Sequence, residues 1–272
     1  MSTVDISGFK EGQKAMWTAG DYPEIARRIV TVGEFVAERA GAGPGIELLD
    51  VATGSGNVSI AAARSGAKVT GLDLTPKLLD AQRERAAAEG VEVTLVEGDA
   101  EELPFDDDSF DSVTSCFGVM FAPRQSLAAR ELVRVARAGG RVVVAAWTPA
   151  GFIGRNFRVT AGYMPAPPPE LKPPVMWGDE DHVRELFAGT SAALTFERRA
   201  VRFTGESPKA FLEQDEDKLG PAVMAKAALE PQGRWEDLKR DMLAMFEESN
   251  EAGDGSFEVQ AEYLVTVAEL PA

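Results

Sequence analysis

The sequence predicts an α/β fold with a mostly parallel sheet. Apolar segments of strand length alternate with segments of helical periodicity, and the predicted strands are 46–52, 67–74, 91–100, 110–119 and 140–147. Strands that are apolar throughout and joined by helical crossovers are typical of parallel sheets covered on both faces. With 272 residues, of which 44% are hydrophobic and 26% charged, the chain is long enough to bury such a core.

The segments between these strands predict helices. Helices are expected within 12–40 and over 57–65, 76–89 and 125–137. The first stretch is interrupted near Gly20 and Pro23, because both residues disfavour a continuous helix. Gly139 and Gly140 are expected to close the last of these crossovers before the fifth strand.

The pattern changes after Trp147. Residues 148–178 are rich in proline and aromatic residues and show no clear period, which predicts a structured cover over the edge of the sheet. The remaining predicted elements are a helix over 179–189, strands over 194–203 and 256–267, and a helical insertion over 207–249. Pro231 is expected to split that insertion.

Composition limits the classes of function. The net charge of −16 repels phosphate backbones and predicts no nucleic-acid partner. No apolar stretch approaches the roughly 20 residues that cross a bilayer, and the first residues lack the apolar region of a secretory signal. Cys116 is the only cysteine and His182 the only histidine, so we expect a cytoplasmic protein without disulfides and without a metal site.

A glycine turn follows the first strand, in the stretch LLDVATGSGNVSIAAA at 48–63. Such a turn brings backbone N–H groups at the start of a helix close to a ligand. A triphosphate-binding loop needs lysine and a hydroxyl residue after its glycines, whereas Asn57 and Val58 stand there. The dinucleotide pattern is closer, although Ser59 occupies the position where glycine or alanine packs the helix on the strand.

Acidic residues end the first three strands and narrow the choice of ligand. Asp50, Asp73 and Asp99 lie at the carboxyl ends of these strands, where open α/β sheets bind ligands. Asp73 could accept hydrogen bonds from ribose hydroxyls, and Asp99 with the Ala100 N–H could meet the edge of an adenine; either acid alone could instead be a turn or cap residue. With no basic residue placed for a pyrophosphate, the pattern predicts S-adenosylmethionine.

Four motifs follow one another within residues 46–147, and in order they are ELLDVATGSGN, VTGLDLTPKLL, VEGDAEELPFDDDSFD and ELVRVARAGGRVVVAAW. They resemble the motifs of class I S-adenosylmethionine-dependent methyltransferases, and most closely those of the ubiquinone- and menaquinone-biosynthesis-like small-molecule branch. Ala52 stands where many members have glycine. The resemblance implies a Rossmann-like, doubly wound sheet of seven strands in the order 3-2-1-4-5-7-6, with the last strand antiparallel and a helical substrate cover.

The resemblance also implies a set of cofactor-binding residues, which are Asp50, Gly54, Ser55, Gly56, Asp73, Leu74, Asp99, Ala100 and Cys116. The turn at 54–56 would pass under the methionine part of the cofactor, and Asp50 would orient its ammonium group. Leu74 would pack on the adenine. The single domain 1–272 would comprise an N-terminal helical cover at 1–40, a cofactor-binding core at 46–147, and the substrate cover, insertion and last two strands at 148–272.

The expected activity is methylation of an oxygen or carbon atom of a hydrophobic small molecule, such as a quinone-like compound or a secondary metabolite. Catalysis is expected to come mainly from positioning and desolvation. If a base exists, Tyr22, Asp21 and Tyr163 are the candidates, and no spacing singles one out. The alternatives are a non-transferring relative (a cofactor-binding cyclase or a binding protein) and an NAD-dependent oxidoreductase, which Asp99 and the missing basic residues disfavour.

Overall fold

Seven strands form one sheet in the order β3-β2-β1-β4-β5-β7-β6. The computed structural model describes residues 5–272. The strands are β1 (Glu47–Val51), β2 (Lys68–Asp73), β3 (Thr94–Glu97), β4 (Phe110–Cys116), β5 (Ala136–Trp147), β6 (Ala193–Gly205) and β7 (Phe257–Glu269). The first five are parallel, and β7 runs antiparallel to both β5 and β6. The predicted fold class and strand order are confirmed.

The centre of the sheet forms the core of the molecule. Leu48 and Leu49 on β1, Val113 on β4 and Val143 on β5 have no exposed surface. Adjacent residues of a strand point to opposite faces of a sheet, so both faces of β1 are covered. This double burial explains why the central strands are continuous apolar runs.

Eleven α-helices of the described residues surround the sheet. They are α1 (Ile6–Ala19), α2 (Tyr22–Ala26), α3 (Val30–Arg39), α4 (Asn57–Arg64), α5 (Pro76–Glu89), α6 (Gln125–Arg134), α7 (Phe152–Ala161), α8 (Glu180–Phe187), α9 (Pro208–Glu213), α10 (Gly220–Leu229) and α11 (Trp235–Ser249). Helices α3, α4 and α5 pack with strands β1 to β5, while α6 and α8 pack together beside β5. The expected break after the first helix lies at Gly20, the C-terminal cap of α1.

The remaining helices form a cover around the carboxyl ends of the strands. Helix α11 packs on α7 and α9, and α1 packs on α10, so the N-terminal helix and the insertion between β6 and β7 meet. The contact is close, because a Cβ at Gly20 would lie 2.1 Å from the Lys218 carbonyl oxygen. Two ends of the chain that are distant in sequence therefore build one cover.

The predicted helix over 125–137 was wrong at its C-terminal end. Helix α6 ends at Arg134, and the Val135 carbonyl oxygen accepts hydrogen bonds from the backbone N–H groups of Ser109 and Phe110. Residues after 135 therefore pair with the start of β4 and begin β5. Gly139, with φ of +73°, lies inside this strand rather than before it, in the region where the β4–β5 register shifts.

Candidate active site

The sheet reverses its winding between β1 and β4, and a cavity of about 990 Å³, counted with its open mouth, lies beyond the carboxyl ends of the strands there. This is where open α/β sheets bind ligands. The predicted cofactor-binding residues that line the cavity are Asp50, Gly54, Ser55, Asp73, Leu74, Asp99, Ala100 and Cys116. Gly56 lies behind this wall, where it is the N-terminal cap of α4.

The turn between β1 and α4 requires glycine at two positions. Gly54 and Gly56 have φ of +57° and +88°, in the left-handed region that favours glycine. A Cβ at Gly56 would also lie 2.7 Å from Cγ of the buried Gln82 on α5. Ala52 and Phe117 share the left-handed region, with φ of +53° and +55°, although neither is glycine. Strained backbone of this kind concentrates at functional sites.

Asp50 fastens the turn to the sheet. Its Oδ2 accepts hydrogen bonds from the Thr53 hydroxyl at 2.6 Å and the Ser59 hydroxyl at 2.8 Å, and its Oδ1 accepts one from the Thr114 hydroxyl at 3.0 Å. The Ser59 N–H is a fourth donor, at 3.2 Å. Burial raises the pKa of Asp50 to about 6, although these hydrogen bonds oppose the shift. Asp50 thus holds the loop in shape, and its predicted contact with an ammonium group stays a prediction.

Asp73 lies at the end of β2 and is almost fully buried. One carboxylate oxygen accepts the Gly54 N–H and the other accepts the Thr75 N–H, both at 2.8 Å. Burial raises the pKa of Asp73 and the two backbone hydrogen bonds lower it, with burial the larger effect. The carboxylate therefore joins the glycine turn to the start of α5 at the wall of the cavity.

Asp99 follows β3 and is bound by a lysine from another part of the chain. Its Oδ1 accepts the Glu101 N–H at 2.8 Å, and its Oδ2 lies 2.5 Å from Nζ of Lys10 on α1. Lys10 itself lines the cavity. No motif singled out this lysine, because the position of α1 depends on packing that has no local signal in the sequence.

A second, larger cavity of about 3030 Å³, counted with its open mouth, adjoins the first. Its wall is formed mainly by apolar side chains of the cover, among them Met16 on α1, Phe152 and Phe157 on α7, and Trp235 and Phe246 on α11. A cavity lined in this way suits a hydrophobic ligand.

The two cavities share a wall of mostly apolar residues. The shared residues are Gln13, Trp17, Tyr22, Ile29, Phe117, Phe121, Ala122 and Pro123. Trp17 contacts Tyr22 and Phe121 edge-to-face, with ring centroids 5.1 and 4.9 Å apart. Phe117 stacks on Trp147 with ring centroids 3.8 Å apart. The boundary between the two cavities is therefore lined largely by aromatic rings.

The three candidate bases lie in different places. Tyr22 lines both cavities, and desolvation strongly raises the pKa of its hydroxyl. Asp21 is an exposed N-terminal cap of α2, accepting the Glu24 N–H, and lines neither cavity. Tyr163 also lies outside both and donates to Asp241 at 2.5 Å, a hydrogen bond that raises its pKa. Burial likewise raises the pKa of the Cys116 thiol.

Comparison with known proteins decides the family. A family model described as a methyltransferase domain matches residues 49–144, which run from within β1 to within β5. The match therefore contains the glycine turn and the acids of the first cavity. The chain belongs to the class I S-adenosylmethionine-dependent methyltransferases.

Relatives of this methyltransferase are found in several bacteria. An uncharacterized protein of Mycobacterium tuberculosis is 41% identical over 218 residues, which is 79% of each chain. A demethylmenaquinone methyltransferase of Clavibacter sepedonicus is 40% identical over 131 residues, or 47% of this chain and 51% of that one. The crystal structure of a putative methyltransferase from Bacillus halodurans superposes with a TM-score of 0.62 at 21% identity, covering 88% of this chain and 98% of that one.

The first cavity fits the cofactor that this family implies. The Ser55 hydroxyl is buried in the glycine turn with no hydrogen-bond partner among the residues described, as expected of a group that meets a polar ligand. Gly54 lines this cavity without a side chain, and the Asp73 and Asp99 carboxylates stand at the end of β2 and just after β3. Within residues 5–272, no helix combines the length and apolar character needed to cross a membrane.

Proposed function

We propose that this methyltransferase transfers a methyl group to a hydrophobic small molecule bound in the second cavity. The observation that carries the proposal is that the two cavities adjoin and share lining residues. The first cavity suits a nucleoside and the second suits an apolar ligand, so the two ligands would lie side by side. When bound, S-adenosylmethionine supplies an electrophilic methyl group on a sulfonium. Because the chain belongs to the methyltransferases, we do not pursue the alternative of an NAD-dependent oxidoreductase.

Each side chain of the first cavity has a role in this proposal. Asp73 accepts hydrogen bonds from the ribose, and Leu74 packs on the adenine. Asp99 and the Ala100 N–H meet the adenine edge. The turn at 54–56 passes beneath the methionine part, where Asp50 helps to orient the ammonium group by shaping the turn. Cys116 contributes an uncharged contact at the end of β4.

In this proposal the acceptor loses its proton without the help of a protein base. Tyr22 at the shared wall and Cys116 in the first cavity stay protonated near neutral pH because burial raises the pKa of each, so neither serves as a base. The Asp50 carboxylate is occupied by four hydrogen-bond donors. We infer O- or C-methylation of a phenol, an enol or a quinol that ionises without help, and rate enhancement by alignment and desolvation.

The pH dependence of methyl transfer tests this mechanism. We would supply methyl-labelled cofactor with quinol, phenol and enol acceptors whose own pKa values differ by two units or more. The midpoint of the kcat/KM profile should move with the pKa of the acceptor, because in this mechanism the acceptor ionises without a protein base. A midpoint that stays fixed across the acceptors would contradict the mechanism and indicate a protein base.

The same assay separates transfer from the non-transferring alternative. Label should appear in the acceptor with the wild type and be lost with Asp73→Ala, while Asp80→Ala, an exposed change on α5, should retain activity. EDTA should leave the rate unchanged. Cofactor binding without label transfer to any acceptor would favour a cyclase or a binding protein.

A further inference from the structure

Helix α1 carries a largely buried lysine into the cofactor cavity. Only 14% of the Lys10 side chain is exposed, and its ammonium group contacts two carboxylates, Asp99 and the fully buried Glu101. Glu101 is also paired with Arg124, whose Nε lies 2.8 Å from Glu101 Oε2. Glu101 therefore keeps a cationic partner without Lys10, whereas Asp99 has no other cation within 4.0 Å among the described residues.

Lys10 fixes the orientation of the Asp99 carboxylate. One oxygen of Asp99 is held by the Glu101 N–H and the other by Lys10, so the carboxylate has an anchor on each side. Charge-assisted hydrogen bonds of this kind are stronger than neutral ones. With Lys10 removed, one anchor remains and the carboxylate is free to rotate.

The same lysine ties the cover to the first cavity. One turn of α1 further on, Gln13 donates to the Phe121 carbonyl oxygen at 2.6 Å, and after a second turn Trp17 packs on the Phe121 ring. Phe9 and Met16 of α1 line the second cavity. The contact between Lys10 and Asp99 therefore joins the adenine end of the first cavity to a wall of the second.

We propose that Lys10 is a positioning residue for adenine recognition, which fixes Asp99 and holds α1 over both cavities. The proposal rests on the cofactor role of Asp99 in the proposed function. An adenine presents an amino group to the carboxylate, whereas hypoxanthine presents a carbonyl oxygen that a fixed carboxylate repels. Lys10 thus makes the site selective for adenine through Asp99.

The test measures binding of two nucleosides by calorimetry. S-adenosylhomocysteine and S-inosylhomocysteine would be titrated into the wild type, Lys10→Met and Lys14→Met. Lys14 is a matched control, because it lies one turn away on α1, pairs with Glu97 at 2.7 Å and does not line the cofactor cavity. In Lys10→Met, S-adenosylhomocysteine should bind roughly tenfold more weakly, as expected for losing one charge-assisted contact.

Selectivity is the readout that a purely structural role would not change. Lys10→Met should bind S-inosylhomocysteine about as well as the wild type does, so the preference for adenine falls by roughly the same tenfold. Lys10→Arg should restore most of the preference. Hydrogen exchange over residues 6–19 should be faster in Lys10→Met, and S-adenosylhomocysteine should slow it less than in the wild type.

The outcomes distinguish a failure of the proposed role of Lys10 from a failure of the proposed function. If Lys10→Met and Lys14→Met bind both nucleosides as the wild type does, Lys10 has no positioning role and the proposed function stands. If the wild type itself does not bind S-adenosylhomocysteine, the proposed function fails and this inference with it. Equal weakening of both nucleosides in Lys10→Met would also overturn the role in adenine selectivity.

Discussion

Asp50 shows how a buried carboxylate couples stability to pH. The pKa of Asp50 is about 6 in the folded protein and roughly 3.9 in an unfolded chain. Between these values the folded protein binds more protons, so the stability that Asp50 contributes is present below about pH 4 and is lost as pH rises to 6. Asp50→Asn lacks this titration and keeps an oxygen for the Ser59 N–H.

Urea denaturation of both proteins between pH 4.5 and 7.5 measures this effect. The wild type should lose about 2 kcal/mol relative to Asp50→Asn as pH rises through 6, since each unit of pKa shift is worth about 1.4 kcal/mol. The difference should be flat above pH 7. A difference independent of pH would contradict the assigned burial effect.

Asp73 gives the second prediction at the scale of a residue. Asp73→Ala should weaken S-adenosylmethionine binding by about 2 kcal/mol or more, because hydrogen bonds to a charged group are worth about 1.5–3 kcal/mol. It should also lower the unfolding free energy, because the N–H groups of Gly54 and Thr75 lose their acceptor. Calorimetry and urea denaturation measure the two effects. Asp80→Ala is the control, and wild-type affinity in Asp73→Ala would place the ribose elsewhere.

At the scale of residues, one rule of geometry explains which of the predicted site residues lie together. The carboxyl ends of parallel strands meet at one edge, which is why Asp50, Asp73, Asp99 and Cys116 line a common cavity. Lys10 follows no such rule, because the helix that carries it, α1, is positioned by packing on α10 and α5. Contacts between distant segments of a chain leave no local pattern to read.

At the scale of an element, replacing a glycine by alanine in the turn between β1 and α4 has two separable costs. One is backbone strain, and the other is steric contact of the new Cβ. Gly56 and Gly45 have φ of +88° and +85°, so alanine at either position suffers a similar backbone strain of about 1–2 kcal/mol. A Cβ at Gly45 has no atom within 4 Å, whereas one at Gly56 would meet Gln82. Gly56→Ala should therefore be the more destabilising change and should alone weaken cofactor binding.

Unfolding free energies and cofactor affinities of the two alanine variants measure this prediction. Equal losses of stability would mean that Gln82 moves aside and that backbone strain is the whole cost. Reduced cofactor affinity in Gly45→Ala would mean that the effect spreads through the fold rather than acting at the turn.

Element boundaries were predicted best where capping and periodicity agree. Helix α5 spans 76–89 as expected, from a proline in its first turn to a left-handed cap at Gly90. The start of β5 was not predictable in this way, because the strand begins where Ala136 pairs with Phe110 of β4, and the register shifts before the next pair, Arg141 with Ser112. Tertiary pairing overrode the local helical pattern there.

The whole molecule offers a thermal test of ligand class. A ligand that binds only the folded state stabilises it by mass action, by about 2.7 kcal/mol at a hundred times its Kd. S-adenosylmethionine and its demethylated product should therefore raise the Tm at micromolar concentrations, and NADH should not. A shift with NADH and none with S-adenosylmethionine would contradict the cofactor proposal.

The two cavities are built from different stretches of the chain. Every residue that lines the first cavity precedes position 124, whereas the stretch from Trp147 to Phe246 contributes only to the second cavity. Substitutions in that later stretch can reshape the second cavity while the residues that line the first stay unchanged. After a gene duplication, such a protein can therefore acquire new acceptors by divergence of one half, and descendants are expected to differ most after Trp147.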